Sequence, residues 1–171
     1  VRTLLFYVSR GAKIIRLDAI AYLWKQIGTT CIHLPQTHQV VKLFRDVLEV
    51  VAPDVLLLTE TNVPHDENIQ YLGDGCDEAQ LVYNFTLPPL LLHALVTGSA
   101  RVLADWIQTL SNLPGAASMF FNFTASHDGI GVRPLEGILE PGEIETLIEI
   151  VKTNDGRVSY KRNPDGSDSP Y

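Results

Sequence analysis

The sequence predicts an α/β fold in which parallel strands alternate with helices, on three observations. Short apolar runs rich in Val, Ile, Leu, Phe and Tyr recur along the 171 residues. Between them lie stretches with apolar residues at i, i+3 and i+4. The short runs are near-continuously apolar rather than alternating, which is how strands read when helices cover both faces of a parallel sheet. Strand–helix alternation over this length implies right-handed βαβ units.

The chain opens inside an amphipathic pattern formed by Leu4, Leu5 and Val8. Residues 13–18 (KIIRLD) make the first strand. Residues 38–51 place Val40, Val41, Phe44, Val47, Leu48 and Val51 on one helical stripe, and Pro53 ends that helix. Residues 54–60 (DVLLLTE) and 80–85 (QLVYNF) are the second and third strands. A helix over 90–97 follows Pro88 and Pro89 and stops at Gly98. Another helix covers 101–110, and residues 117–124 (ASMFFNFT) form the fourth strand. The helix at 143–153 has Glu143 and Glu145 in its first turn, where the helix dipole favours acids, and it ends before Gly156. Residues 157–161 (RVSYK) carry a weaker strand signal, and 163–171 read as a polar loop. No linker or internal repeat divides the chain, so 1–171 reads as a single domain.

Composition narrows the function. The net charge of −7, from 13 basic and 20 acidic residues, argues against nucleic acid or an anionic membrane as partner. No apolar run approaches the roughly 18 residues that cross a bilayer. Cys31 and Cys76 make no disulfide framework, which points to the cytoplasm. The sole methionine is Met119 and both ends interrupt patterned sequence, so the chain reads as a piece of a longer protein truncated at both ends. No Gly-rich phosphate turn follows any strand, which disfavours a doubly wound sheet. The expectation is therefore a partial (β/α)8 TIM barrel, covering its middle-to-late strands.

Acids stand at or just beyond the ends of three strands: Asp18, Glu60 and Asp128. An acid at the end of an apolar strand does nothing for folding and costs several kcal/mol if buried unpaired. In a barrel all strand ends open onto one catalytic face, so three such acids would converge. Taken singly, each also reads as a helix cap or loop residue. Arg16 lies two residues before Asp18, on the same strand face, where it would keep Asp18 ionised. His127 immediately precedes Asp128. Retaining glycosyl transfer needs such a set, with one carboxylate as nucleophile and a protonated carboxyl as acid about 5–5.5 Å away.

The segments GAKIIRLDAIAYLWK, LLLTETNVPHDEN, LVYNFTLPPLLLHAL and FNFTASHDGIGVRP resemble the sucrose phosphorylase branch of the α-amylase superfamily of retaining α-glycosidases, including glucosylglycerate phosphorylase-like members. The resemblance implies that Asp18 is the nucleophile, Glu60 the general acid and base, and Asp128 the transition-state stabiliser. It implies that Arg16 and His127 bind the transferred glucose and that Arg133 contacts phosphate or the acceptor. It further implies a small-molecule sugar substrate, with inorganic phosphate as co-substrate and no other cofactor, and glucose 1-phosphate as product. A hydrolase or transglucosidase of the same superfamily, or a non-catalytic carbohydrate-binding relative, is the alternative. The acceptor and the oligomeric state stay open. Because the first barrel strands lie outside the chain, the isolated 171 residues are expected to be inactive.

Other patterns carry less. Cys31, His33 and His38 have the spacing C-x-H-x4-H, which matches no standard zinc site and lacks a second ligand pair, so no metal is expected. His65, Asp66 and Glu67 read either as part of the acceptor side or as a solvated loop. Trp24 and Trp106 read as core residues, although Trp24 and Tyr22 are close enough to the first strand to meet a sugar.

Overall fold

A computed structural model of the chain describes residues 1–110, 113–163 and 165–171. These residues group into two compact units. The first contains residues 1–61, 66–83 and the described part of 112–122. The second contains 62–65 and the described parts of 84–111 and 123–171.

The first unit is built on a parallel sheet of four strands in chain order: β1 (Ile14–Leu17), β2 (Leu56–Thr59), β3 (Leu81–Tyr83) and β4 (Met119–Phe121). The register runs Leu17↔Thr59 and Thr59↔Val82, with Tyr83↔Phe121 beyond. All four sequence-predicted strands are present, each trimmed at its polar ends. Burial separates the inner strands from the outer ones. Leu57, Leu58 and Val82 are buried, whereas Ile14 of β1 and Met119 and Phe121 of β4 are exposed. Among the described strands, β1 and β4 each pair on one edge only. The expectation of strands covered on both faces therefore holds for the inner pair.

Helix α1 (Arg2–Ser9) precedes β1 and buries Leu4. Helix α2 (Pro35–Val51) returns the chain from β1 to β2 and starts three residues before the expected point, because Pro35 suits the first helical turn. Its stripe buries Val41 and Leu48 and half-buries Phe44 and Val47, but Val51, in the last turn, is exposed. The core between α2 and the sheet is made by Val41, Leu48, Leu57, Tyr71, Leu72 and Val82. Gln80 stitches three strands at the foot of the sheet. Its side-chain oxygen accepts from the Leu57 N–H at 2.9 Å, and its backbone oxygen accepts from the Met119 N–H at 2.9 Å. Between β2 and β3 the chain forms the short helix α3 (His65–Asn68) and a 3-10 turn (Ile69–Leu72).

The second unit packs helix α4 (Leu87–Thr97) against α5 (Arg101–Thr109) and α6 (Pro141–Thr153) around Leu90, Trp106, Leu135, Leu139 and Leu147. Gly98 adopts a positive φ of 68° to terminate α4. Glu140 and Glu143 form a reciprocal capping box at the start of α6. The tail departs from the expected loop. Strand β5 (Tyr160–Arg162) pairs antiparallel with β6 (Asp168–Pro170), displacing the expected 157–161 strand toward the C-terminus. Residue 164 of that tail lies outside the described residues.

Candidate active site

Asp18 and Glu60 occupy equivalent places on neighbouring strands. Leu17 is in register with Thr59, so the next residue on each strand, Asp18 on one and Glu60 on the other, stand side by side at the C-terminal edge of the sheet. The Glu60 N–H donates to the Leu17 carbonyl at 3.1 Å, which carries the parallel ladder up to the acid itself. Neighbouring parallel strands lie about 4.8 Å apart, so the sheet alone brings the two backbones to that spacing.

Each carboxylate has its own partner. Arg16 Nη1 donates to Asp18 Oδ2 at 2.6 Å, as the i, i+2 spacing on one strand face requires. Burial works against the Arg16 charge, but the hydrogen bond and charge of Asp18 outweigh it and hold the guanidinium above its ordinary pKa. Glu60 Oε2 accepts from the Ala19 backbone N–H at 2.8 Å. Ala19 achieves this in the left-handed region, with φ 46° and ψ 36°, a conformation that costs an L-residue about 1–2 kcal/mol.

The same row continues across the sheet. Thr59 pairs with Val82, so Tyr83 stands beside Glu60, and Tyr83 pairs with Phe121. The Arg16 guanidinium lies 5.5 Å from the centre of the Tyr83 ring, and the Tyr83 and Phe121 rings lie 5.0 Å apart. Two acids and two aromatic rings therefore line the C-terminal ends of the four strands. Tyr83 and Phe121 escaped the sequence reading. The signal that finds them is their position, equivalent to Asp18 and Glu60 on the next two strands.

Asp128, His127 and Arg133 belong to the second unit. Asp128 sits in a tight turn in which the Gly129 N–H donates to the Ser126 carbonyl at 3.1 Å and the Asp128 N–H to Ser126 Oγ at 3.1 Å. His127 Nε2 is 3.3 Å from Asp128 Oδ2, and both side chains are exposed. Arg133 opens a 3-10 turn (Arg133–Leu135), and its Nε is 3.8 Å from Glu136 Oε1.

The histidines of the C-x-H-x4-H segment, His33 after β1 and His38 on α2, each meet a carboxylate. His33 Nε2 is 2.9 Å from Glu67 Oε2 and its Nδ1 is 2.9 Å from the Tyr71 hydroxyl. His38 Nδ1 is 2.9 Å from Glu78 Oε2, and the His38 ring stacks on Tyr71 at 4.7 Å. Cys31 Sγ meets the backbone N–H and carbonyl of Gln26, each at 3.4 Å. Those contacts with Gln26 and Thr29 lower its thiol pKa. Among the described residues no three His, Cys, Asp or Glu side chains are grouped so as to hold a metal. Trp106 is buried as expected, while Trp24 and Tyr22 are exposed. Among the described residues, no helix is long and apolar enough to cross a membrane.

No family model matches the chain. Over 167 residues, 98% of the chain, it is 58% identical to a glucosylglycerate phosphorylase of Spirochaeta thermophila, of which it covers 28%. It is 31% identical over 149 residues to a sucrose phosphorylase of Bifidobacterium adolescentis, matching 82% of this chain and 27% of that one. Over almost its whole length the chain is therefore similar to part of the glucosylglycerate and sucrose phosphorylases. Its fold agrees: the solved structure of sucrose 6F-phosphate phosphorylase from Thermoanaerobacter thermosaccharolyticum superimposes on 98% of the chain with a TM-score of 0.76 at 26% identity. That match uses 32% of the solved chain, so this chain spans roughly a third or less of the relatives it resembles.

Proposed function

We propose that the protein carrying this chain is a retaining glycoside phosphorylase that cleaves an α-glucoside with inorganic phosphate by double displacement. The observation that supports it most directly is the adjacency of Asp18 and Glu60 on neighbouring strand ends, each with its own partner. Asp18, ionised beside Arg16, attacks the anomeric carbon and forms a β-glucosyl ester. Glu60 delivers a proton to the departing glycosidic oxygen. A phosphate oxygen then attacks the ester from the vacated face, Glu60 takes the proton back, and α-glucose 1-phosphate leaves with net retention. The strand spacing of about 4.8 Å suits the carboxyl separation of about 5–5.5 Å that retention needs.

In this reading Asp128 stabilises the positive charge that develops on the sugar ring, and His127 binds the same ring. Arg133 is assigned to phosphate or the acceptor, where a guanidinium fork can give two parallel hydrogen bonds. The four parallel strands are taken as part of a (β/α)8 barrel. Glucosylglycerate is the first candidate substrate, because identity to the glucosylglycerate phosphorylase is 58% against 31% for the sucrose phosphorylase. The reaction needs no organic cofactor or metal, and a cytoplasmic setting would supply its phosphate.

The full-length protein should release glucose 1-phosphate from glucosylglycerate only when phosphate is present, and do so faster than from sucrose. Free glucose formed at the same rate without phosphate would replace this reading with a hydrolase. Transfer to a second sugar would replace it with a transglucosidase.

A further inference from the structure

Tyr71 is completely buried, yet it carries a hydroxyl in the middle of an apolar core. That hydroxyl meets His33, and the opposite nitrogen of the same imidazole meets the Glu67 carboxylate, both at 2.9 Å. The three groups come from different stretches of chain. His33 lies in the segment that begins immediately after Asp18, whereas Glu67 and Tyr71 lie in the segment that follows Glu60. A second histidine, His38 on α2, stacks on the tyrosine ring and is held by the buried Glu78. Burial raises the Tyr71 pKa and keeps the phenol protonated. The Glu67 carboxylate can only accept, so the His33 Nε2–H donates to it, and in the neutral imidazole Nδ1 then accepts the phenol O–H.

Local conformation fixes the line further. His33 is in the left-handed region with φ 54°, and its N–H donates to the Ala21 carbonyl at 3.0 Å, two residues beyond the amide that holds Glu60. The imidazole is thereby attached to the backbone that follows the nucleophile, and its two nitrogens grip the segment that follows the acid.

We propose that His33 and Tyr71 are positioning residues, which set the separation of Asp18 and Glu60 by tying together the chain segments that leave β1 and β2. This rests on the catalytic reading of Asp18 and Glu60. Neither residue need touch substrate. The mechanism tolerates little error in the gap between the two carboxyls, since a displacement of about 1 Å at a reacting group can cost on the order of 100-fold in rate.

The test uses the full-length protein with His33→Ala, His33→Gln and Tyr71→Phe, assayed for phosphate-dependent turnover. Tyr71→Phe keeps the ring, the stack and the core volume and removes only the O–H, so it stays informative if His33→Ala fails to fold. The expected result for Tyr71→Phe is a kcat about 10- to 100-fold lower with KM within about twofold, and a Tm lower by only about 2–4 °C. His33→Gln, whose amide can still donate to Glu67, should recover part of the kcat lost in His33→Ala. Unchanged kcat in folded Tyr71→Phe and His33→Ala overturns the proposal, as does a rise in KM without loss of kcat. Glu60→Gln in the same series separates the two failures. If it too retains full activity, the catalytic reading itself is wrong. If it is inactive while the Tyr71 and His33 variants are normal, the positioning role alone falls.

Discussion

The backbone N–H of Ala19 donates to Glu60 Oε2 over 2.8 Å, so the residue after the proposed nucleophile holds the proposed acid. The link exists because Ala19 turns into the left-handed region and because Leu17 and Thr59 are in register. It is a backbone contact, which side-chain substitution at Glu60 can preserve. Glu60→Gln should therefore keep its place, since an amide oxygen accepts the same hydrogen bond, while losing the ability to donate a proton as an acid. In the full-length protein its kcat should fall about 10²- to 10⁴-fold with natural substrates. A substrate with a leaving group that needs no protonation, such as α-glucosyl fluoride, should restore the first step. Equal loss with both substrates would show that Glu60 acts in some other way.

Arg16 and Asp18 share a strand face at 2.6 Å, with the guanidinium over Tyr83. A charge-assisted hydrogen bond of this kind is worth about 1.5–3 kcal/mol. Arg16→Leu is accordingly expected to lower kcat/KM by roughly 10- to 100-fold in the full-length protein. Arg16→Lys keeps a charge but not the fork, and should recover only part of the loss. Steady-state kinetics of the two variants decide the matter.

Asp77 is held below its ordinary pKa. Desolvation pushes it up, but the Lys42 ammonium and the Asp74 backbone amide outweigh that and lower it. A depressed carboxylate adds stability that is present above its ordinary value of 3.8 and is lost as pH falls through the lower native value. Lys42 is raised by its hydrogen bond to Asp77, so its contribution is present below 10.5 and lost only as pH rises through the raised value. The Tm deficit of Lys42→Met relative to the parent should therefore persist at pH 7 and shrink below about pH 4. Thermal denaturation at pH 3, 5 and 7 measures it, and a deficit independent of pH would contradict the assignment.

Leu57 is fully buried at the centre of β2. Leu57→Ala removes packing from the core and leaves a cavity, for an expected loss of about 2–5 kcal/mol in chemical denaturation. A loss below about 1 kcal/mol would mean that this core collapses to fill the space.

The 171-residue chain expressed alone is expected to give no glucose 1-phosphate. Its sheet leaves the outer edges of β1 and β4 without a described partner, and edges of that kind favour association with other chains. Phosphate-dependent release of glycerate or fructose by the isolated chain would overturn this expectation.

The strands, their order and the face shared by Arg16 and Asp18 were legible from the sequence, because apolar runs and a period of two are local properties of the chain. The resemblance to sucrose and glucosylglycerate phosphorylases was legible for a similar reason, since short motifs are carried by the order of the residues itself. Register was not. That Asp18 stands beside Glu60, and Glu60 beside Tyr83 and then Phe121, depends on how strands far apart in sequence align, and no local pattern encodes the offset. The turn of Ala19 into a left-handed conformation is also a tertiary decision, because alanine has no intrinsic reason to adopt it. Cys31, His33 and His38 carried a spacing that matches no standard zinc site, and the sequence offered no partners for the two histidines. Only the folded chain revealed Glu67, Tyr71 and Glu78 as their partners, because residues some 34 to 40 positions apart meet solely through packing.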